Sequence, residues 1–331
     1  MIPTVSATVY EAARQRAAFI DRSDRGRLVL SGADRASYLQ GLVTNDVAAL
    51  KAGEGCYAAY LTPQGRMIAD LYVYELGDVM MLTMDRGVKE QVLAKLDQFI
   101  FTEDVQLGDV TDTFAQIAIV GPDAAALVTG LLADAPSDTL TALAEHGNLR
   151  ATWKGAPAIV TRILDLGEPG FDVFVDRGAV DAFTSAVAAA GAAALDEPTA
   201  EAIRVERGVP RFGRDMDEET IPLEAGIESR AISFTKGCYV GQEVIVRVLH
   251  RGHGRVARKL VGLRLDGDRP PASGAVVHSG DREIGRLTSS AWSPALKRPI
   301  ALAYVHRDFV APGTAVSVGG SNATVTTVPF V

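Results

Sequence analysis

The segment "GEGCYAAYLTPQGRMIADLYVYELGDVMMLTMD", residues 53–85, contains three short runs of apolar, aromatic and β-branched residues. Residues 63–65 (Pro-Gln-Gly) and residues 77–78 (Gly-Asp) separate the runs, and both are typical turn sequences. Apolar runs divided in this way predict a β-meander. The next segment, residues 87–101, has the apolar spacing of a helix. This part of the chain therefore predicts an antiparallel sheet followed directly by a helix.

Strands and single helices also alternate on both sides of this segment. The expected helices are residues 9–21, 33–46, 122–133, 179–191 and 198–208, and the expected strands are residues 26–32 and 114–121, with two more in residues 152–164 and 171–178. The recurrence indicates an α+β fold with two subdomains, each built on an antiparallel sheet.

The last part of the chain has a different pattern. Short alternating strands are interrupted by Gly, Pro, Asp and Ser at intervals too short for a helix. We predict a small closed β-barrel or sandwich for residues 259–331, with no helix of three or more turns. Residues 1–258 then form the two α+β subdomains.

Composition and charge exclude several classes of protein. The chain has 331 residues, of which 47% are hydrophobic and 22% charged, so it can bury a sizeable core. Its formal net charge of −8 argues against nucleic acid as a partner, because phosphate binding needs a broad basic face. No signal peptide or membrane span is predicted. Cys56 and Cys238 form no CxxC motif, so we expect a soluble, cytoplasmic protein without a disulfide framework.

Cys238 lies in an unusual setting, "FTKGCYVGQE", residues 234–243. Lys236 precedes it and several cations follow, and nearby positive charge favours the thiolate, which is the reactive form of cysteine. A small core residue, a nucleophile and a metal ligand all remain open on these residues alone. Cys56 lies among strand residues and is expected to be a buried small hydrophobe.

Positive charge is concentrated directly after this segment, in residues 247–259. In a chain of negative net charge, this concentration indicates an anionic ligand or partner, or a solvated hinge between domains. His250 and His253 could join Cys238 around a metal, but a fourth ligand is missing. We therefore predict no metal site.

Five segments of the chain resemble a known family. They are "VLSGADRASYLQGLVTNDV" (29–47), "LTPQGRMIADLYVY" (61–74), "LGEPGFDVFVD" (166–176), "AIRVERGVPRFGRDMDEETIPLEAGI" (202–227) and "FTKGCYVGQEVIVRV" (234–248). Together they are similar to the YgfZ family, folate-binding proteins of iron–sulfur cluster assembly and repair that are related to the glycine-cleavage T-protein, an aminomethyltransferase. The KGCYxGQE signature is specific to the YgfZ branch, and the other segments are shared with the T-protein.

The resemblance implies a fold of two interleaved ferredoxin-like units and a C-terminal β-barrel around a central folate-binding opening. It implies tetrahydrofolate as cofactor, with Glu168 at the position of a glutamate that binds the pterin ring. It also implies Arg204 as a partner of the folate carboxylates and Asp70 as a further contact. Members of the signature are expected to shape the surroundings of Cys238: Lys236, Gly237, Tyr239, Gly241, Gln242, Glu243 and Arg247.

One departure from the T-protein pattern concerns the reaction. T-proteins carry an Asp-Asp pair after a glycine turn, and an aspartate of the pair acts on the folate nitrogen during carbon transfer. Here Ala69 and Asp70 occupy the pair, and Gly65-Arg66 replaces the preceding Gly-Gly. Asp70 would then match the member without that role, which argues against aminomethyl transfer and leaves folate binding open.

The favoured hypothesis is a tetrahydrofolate-binding accessory factor of iron–sulfur cluster assembly or repair, with Cys238 as its reactive residue. Its partners would be iron–sulfur enzymes or cluster-assembly proteins. Two cysteines cannot complete a four-thiolate cluster site within one chain. The alternatives are a folate-dependent aminomethyltransferase or demethylase, and a structural scaffold in which the cysteine is incidental.

Overall fold

The computed structural model describes residues 5–250 and 255–331. Within these residues the α-helices are α1 (Ala7–Gln15), α2 (Arg35–Gln40), α3 (Arg86–Asp97), α4 (Ala124–Leu131), α5 (Ser137–Ala142), α6 (Val180–Ala189), α7 (Glu197–Arg207), α8 (Pro222–Ala225), α9 (Glu228–Ala231) and α10 (Gln242–His250). Short 3₁₀ helices occupy Arg177–Ala179 and Arg307–Phe309.

The β-strands belong to three sheets. They are β1 (Ala18–Asp21), β2 (Gly26–Ser31), β3 (Gly55–Leu61), β4 (Met67–Glu75), β5 (Met80–Met84), β6 (Gln106–Asp109), β7 (Phe114–Val120), β8 (Asn148–Trp153), β9 (Ala156–Ile163), β10 (Gly170–Asp176), β11 (Ala193–Ala194), β12 (Arg258–Leu265), β13 (Val276–Ser279), β14 (Arg282–Ser293), β15 (Arg298–His306), β16 (Ala315–Val318) and β17 (Ser321–Thr326).

The first two sheets are interleaved along the chain. One has the strand order β11-β1-β7-β10-β9-β8, and the other has the order β3-β4-β5-β2-β6. All pairs are antiparallel except β1 with β11. The chain leaves the first sheet after β1, builds the second sheet completely, and returns at β7. The predicted interleaved α+β fold is confirmed.

Strand β4 is buried on both of its faces, and this positions the site described below. All nine residues from Met67 to Glu75 are buried. Successive side chains of a strand point to opposite faces. Ala69, Leu71 and Val73 pack into the apolar core that contains residues of α2 and α3. Tyr72 and Tyr74 pack into a second core with Phe174 of the other sheet.

The C-terminal part is a closed barrel with the strand order β12-β15-β14-β13-β16-β17. Its interior is apolar, with Leu263, Val277 and Val305 fully buried. From Arg258 onward its only helical element is the single 3₁₀ turn Arg307–Phe309. The predictions of a β-barrel and of no helix of three or more turns are confirmed.

Two of the predicted helices end earlier than expected, and one helix was missed. The helix expected over 9–21 ends at Gln15, and residues 18–21 form β1 instead. The helix expected over 33–46 ends at Gln40, because the chain turns at Gly41 and Val43 forms a bridge with Tyr60 of β3. Helix α10 was not predicted. No helix among the described residues is long and apolar enough to cross a membrane.

Candidate functional site

A polar cleft lies where β4, the turn between β1 and β2, and helix α7 come together. Its volume is about 810 Å³, part of it open to solvent. Charged side chains dominate the lining: Asp21, Arg22, Asp24, Arg25, Asp70, Asp85, Asp165, Glu197, Glu201, Arg204 and Arg211. Tyr72, Phe212 and a few aliphatic residues complete it.

Asp70 points into this cleft and Ala69 does not. The two residues are neighbours on β4, so their side chains lie on opposite faces of the sheet. Asp70 lines the cleft, whereas Ala69 is fully buried in the apolar core behind the sheet. A carboxylate at position 69 could not reach a ligand in the cleft. This geometry counts against the inference that Ala69 removes a functional carboxylate, which stays a prediction.

The Asp70 carboxyl group is buried and held by one hydrogen bond. The Tyr57 hydroxyl of β3 donates to Asp70 Oδ2 at 2.9 Å. Burial raises the pKa of Asp70, while the charge of Arg25 and the hydrogen bond from Tyr57 oppose the rise. The nearby carboxylates Asp165 and Asp85 act in the same direction as burial. A buried carboxyl group with a raised pKa is suited to donating and accepting protons.

An ion network closes the cleft on the side of the first sheet. Arg22 binds Asp165 at 2.5 Å and Asp172 at 3.1 Å, and Gln116 donates to Asp172 at 2.7 Å. Burial alone would raise the pKa of Asp165, but the ion pair with Arg22 outweighs it and the pKa falls to about 2. Burial and the charge of Asp165 raise the pKa of Asp172. This network was not predicted from the sequence.

Arg204 lines the cleft as expected, but its guanidinium is already fully engaged. It donates to both oxygens of Glu201, to Asp215 at 2.7 Å, to the Val209 carbonyl at 2.5 Å and to Ser289 Oγ at 2.7 Å. These contacts use all five N–H donors of an arginine. Arg204 therefore connects α7 to the barrel strand β14. The predicted contact between Arg204 and a folate carboxylate stays a prediction, and the full use of its donors counts against it.

Glu168 lies outside the cleft lining. Its carboxylate forms ion pairs with Arg14 of α1 and with Arg207 of α7, the latter at 3.3 Å. The carboxylate is only 8% exposed and both partners are cations, so it has little capacity left for a ligand. The contact between Glu168 and a pterin ring stays a prediction, and the position of Glu168 does not support that contact.

Arg25 is a further cleft residue that was not predicted from the sequence. It is half-buried in the turn between β1 and β2, and its guanidinium carbon lies 5.3 Å from the ring centre of Tyr72. Tyr72 follows Asp70 by two residues on β4, so both side chains are on the same face. The turn "DRSDRG", residues 21–26, contains polar residues between two strands, but such turns are common and carry no functional signal of their own.

The signature segment lies along the loop that follows α2. Ser233 and Val240 donate backbone hydrogen bonds to the carbonyls of Thr44 and Gly41. The Lys236 ammonium donates to the carbonyls of Gln40, Val43 and Asn45 at 2.6–2.8 Å. Burial lowers the pKa of Lys236 to about 8, and the charge of Asp46 opposes this. Lys236 therefore anchors the segment. Its three N–H donors were expected to act on Cys238, but they are directed at these carbonyls instead.

Gly241 fixes the other end of the segment against the turn between β3 and β4. Its φ of +85° is in the region that favours glycine, and a Cβ there would lie 2.5 Å from the Thr62 carbonyl oxygen. Gly65 of that turn has a φ of +74°, and its Cβ would lie 2.8 Å from Val244 Cβ. Gly237, by contrast, has open space around it. The signature glycines thus have different roles.

Cys238 is exposed between these two anchors. Tyr239 is buried in the core shared by the two sheets. Gln242 Oε1 accepts from the Tyr239 backbone at 3.3 Å and stabilises the turn into α10. Glu243 and Arg247 are exposed on α10. Cys56 is partly buried, and burial raises the pKa of its thiol to about 12, in agreement with the expected packing role.

The cysteine segment and the cleft are separate places on the molecule. None of the described residues that line the cleft belongs to the signature. The proposed trio of Cys238, His250 and His253 cannot be assessed, since His253 and the His250 side chain lie outside the described residues. Elsewhere in residues 5–250 and 255–331, no cluster of three His, Cys, Asp or Glu side chains could hold a metal ion.

The chain matches two protein-family models. Residues 4–236 match the family model described as the GCVT N-terminal domain, and residues 258–331 match that of the glycine cleavage T-protein C-terminal barrel domain. The chain belongs to the glycine cleavage T-protein family. The match to this family extends over both interleaved sheets and the barrel, so the T-protein fold accounts for nearly all of the chain.

Relatives within the T-protein family have similar length. An aminomethyltransferase of Streptomyces coelicolor is 32% identical over 94% of this chain and 85% of its own. An aminomethyltransferase of Rubrobacter xylanophilus is 33% identical over 89% of this chain and 78% of its own. The crystal structure of the glycine cleavage system aminomethyltransferase T from Bartonella henselae superimposes with a TM-score of 0.87 at 23% identity, over 98% of this chain and 89% of that one. This structure supports the fold.

Proposed function

We propose that this protein binds a reduced folate in the polar cleft and takes part in folate-dependent one-carbon transfer of the aminomethyl type. Asp70 is the residue to which we assign proton transfer to and from the folate nitrogen. The proposal rests on one observation, namely that Asp70 faces the cleft while Ala69 faces the apolar core. The loss of the first carboxylate of the Asp-Asp pair therefore leaves the cleft chemistry intact.

The chemical character of the cleft supports this assignment. A reduced pterin presents N–H donors and a carbonyl acceptor, and the cleft offers both carboxylates and a guanidinium. The raised pKa of Asp70 brings its protonation closer to the working pH, where a general acid or base is most effective. The relatives of similar length that carry the name aminomethyltransferase support the same reaction class.

The test is a tetrahydrofolate titration by calorimetry, combined with an assay of one-carbon transfer from an aminomethyl donor to tetrahydrofolate. Wild type is expected to bind and to transfer, and Asp70→Asn to bind but to transfer at least 100-fold more slowly, a typical loss for a general acid–base residue. Asp112→Asn is the matched control, because Asp112 is exposed and does not line the cleft. Absence of folate binding in the wild type would refute the proposal.

A second function is favoured by the presentation of Cys238. The thiol is exposed on a segment held at one end by Lys236 and at the other by Gly241. A fixed, accessible thiol suits contact with another macromolecule, and the KGCYxGQE signature resembles the YgfZ branch. We therefore propose, as the second candidate, an accessory role toward iron–sulfur enzymes or their assembly proteins. Since this chain holds only two cysteines, any cluster contact would need further ligands from a partner.

The two candidates predict different results in cells that lack the protein. The activities of iron–sulfur enzymes are measured after complementation with wild type, Cys238→Ser or Cys56→Ser. The accessory role predicts rescue by Cys56→Ser and failure of Cys238→Ser, whereas one-carbon transfer alone predicts that both variants behave as wild type. Equal rescue by both cysteine variants would refute a role of the Cys238 thiol.

A further inference from the structure

Four arginines line the cleft, and they differ in what their guanidinium groups contact. Arg22 is bound by two buried aspartates, and all five donors of Arg204 are used within the protein. Arg211 is 41% exposed at the mouth of the cleft and lies 3.4 Å from Glu197. Arg25 forms no ion pair with any residue in 5–250 or 255–331.

An unpaired arginine is unexpected in this cleft. Seven carboxylates line it, so electrostatics would favour an ion pair for every guanidinium. Arg25 instead lies over the ring of Tyr72, where a cation–π contact holds it. Its Nε atom is buried and has no hydrogen-bond partner among the described residues. A buried donor without a partner costs free energy. The Nη atoms of the same guanidinium also have no hydrogen-bond partner among the described residues and are not buried, so they are the donors that a ligand acceptor can reach.

We propose that Arg25 anchors the ligand of the cleft by donating to one of its oxygen atoms, on the side of the cleft shared with Asp70. This inference rests on the proposed folate binding and names the residue that orients the folate. The stacked guanidinium presents a planar set of donors, which matches a carboxylate or a ring carbonyl oxygen. A reduced folate offers both, in its glutamate moiety and in its pterin ring. If the ligand oxygen belongs to a folate carboxylate, Arg25 takes the role that the family resemblance implies for Arg204.

The position of Arg25 also connects binding to the reacting centre. Tyr72, which supports Arg25, lies two residues from Asp70 on the same face of β4. A ligand oxygen held by Arg25 would therefore place the rest of the ligand beside the Asp70 carboxyl group. The charge of Arg25 also opposes the effect of burial on the pKa of Asp70.

The experiment uses 5-formyltetrahydrofolate, a chemically stable reduced folate, and 6-methyltetrahydropterin, which lacks the glutamate moiety. Dissociation constants are measured by calorimetry at two salt concentrations for wild type, Arg25→Met and Arg25→Lys. Arg66→Met is the matched control, because Arg66 is a partly exposed arginine that does not line the cleft. Thermal unfolding of each variant confirms that it is folded.

Arg25→Met is expected to weaken binding of the folate roughly 10- to 100-fold, the usual effect of one charge-assisted hydrogen bond. It should also reduce the salt dependence of binding. Arg25→Lys should restore part of the affinity, and Arg66→Met should bind like wild type. Weaker binding of both compounds assigns the contact to the pterin carbonyl, and weaker binding of the folate alone assigns it to a carboxylate. If wild type binds the folate and Arg25→Met binds it equally well, the inference is wrong; if wild type binds neither compound, folate binding itself is refuted.

Discussion

Ala69 and Asp70 are adjacent in β4, yet one side chain lies in an apolar core and the other in a polar cleft. The sheet separates the two side chains, so the same substitution affects different properties of the protein at the two positions. A change of charge at position 70 alters the chemistry of the cleft, whereas a change of charge at position 69 alters the stability of the core. This relationship allows the assignment of Asp70 to be tested by a pair of variants.

Asp70→Asn should leave the free energy of unfolding nearly unchanged while it slows one-carbon transfer by about 100-fold or more. Ala69→Asp should instead lower the free energy of unfolding, because it places an unpaired carboxylate in a fully buried apolar site. We expect it to reduce the free energy of unfolding by about 3 kcal/mol or more. Urea denaturation and the transfer assay measure the two effects. An Ala69→Asp variant of normal stability would contradict the orientation of β4.

The glycines of the signature should differ in their tolerance of a side chain. Gly241→Ala places a Cβ against the Thr62 carbonyl at a positive φ, so we expect a loss of about 1–3 kcal/mol in unfolding free energy. Gly237→Ala has open space and should be close to neutral. Denaturant unfolding of both variants provides the comparison. Equal stability of the two would mean that the signature segment does not dock on the turn between β3 and β4.

The two cysteines should react at very different rates. Cys238 is exposed, whereas Cys56 is partly buried and burial raises its thiol pKa to about 12. Since the thiolate is the nucleophile, iodoacetamide at neutral pH should alkylate Cys238 first and Cys56 only in denaturant. Mass spectrometry of tryptic peptides against time measures both rates, with Cys238→Ser as the control. Faster modification of Cys56 would contradict the described packing.

Lys236→Met should loosen the signature segment without unfolding the protein. The variant loses three hydrogen bonds to the carbonyls of Gln40, Val43 and Asn45, which then have to find other donors. Amide hydrogen exchange should become faster in the segments around residues 41–45 and 233–240, while the barrel stays unchanged. Glu243→Gln, an exposed change in the same signature, is the control. Unchanged exchange in Lys236→Met would refute its role as the anchor.

The buried pair Asp165 and Asp172 should give opposite responses to pH. The ion pair with Arg22 holds the native pKa of Asp165 below the unfolded value near 3.9, so its stabilising contribution is present above pH 4 and is lost as the pH falls toward 2. The native pKa of Asp172 is raised, so its ionisation disfavours the native state as the pH rises above 4.

Between pH 7 and pH 2, the free energy of unfolding of Asp165→Asn should therefore fall by less than that of wild type. Asp172→Asn should retain the acid sensitivity that Asp165 provides. Unfolding free energies between pH 2 and 7 test both statements, and identical pH profiles of the two variants would contradict the assignment of the two aspartates.

The strands and helices were largely predictable because local sequence marks their ends. Turn residues divide β3, β4 and β5, and Gly208 ends α7 in the left-handed conformation typical of a helix C-terminus. The side-chain directions on β4 were not predictable. Both faces of that strand are buried, so no alternation of polar and apolar residues shows which face is the core.

The partners of Arg204 and Glu168, the two predicted folate contacts, could not be predicted from the sequence either. Arg204 is bound by Asp215 and Ser289, and Glu168 by Arg14, residues that lie up to 154 positions away in the chain. Nothing local indicates that these groups are already satisfied. Cys238 was identified from its neighbours, but the contacts of Lys236 across 191–196 residues reverse the role expected for that lysine.

The interleaving of the two sheets has a consequence for synthesis on the ribosome. Strand β1 pairs with β7, and the backbone N–H of Arg22 donates to the Gln116 carbonyl at 2.8 Å. The two ends of the intervening segment therefore lie side by side. Strands β2 to β6 can pair with one another as soon as residue 109 has been made, whereas β1 has no partner before residues 114–120 appear. At about 5–20 residues per second, β1 waits roughly 5–20 s. The sheet that the chain starts first is thus finished second, and an emerging chain carries an unpaired N-terminal strand for that time.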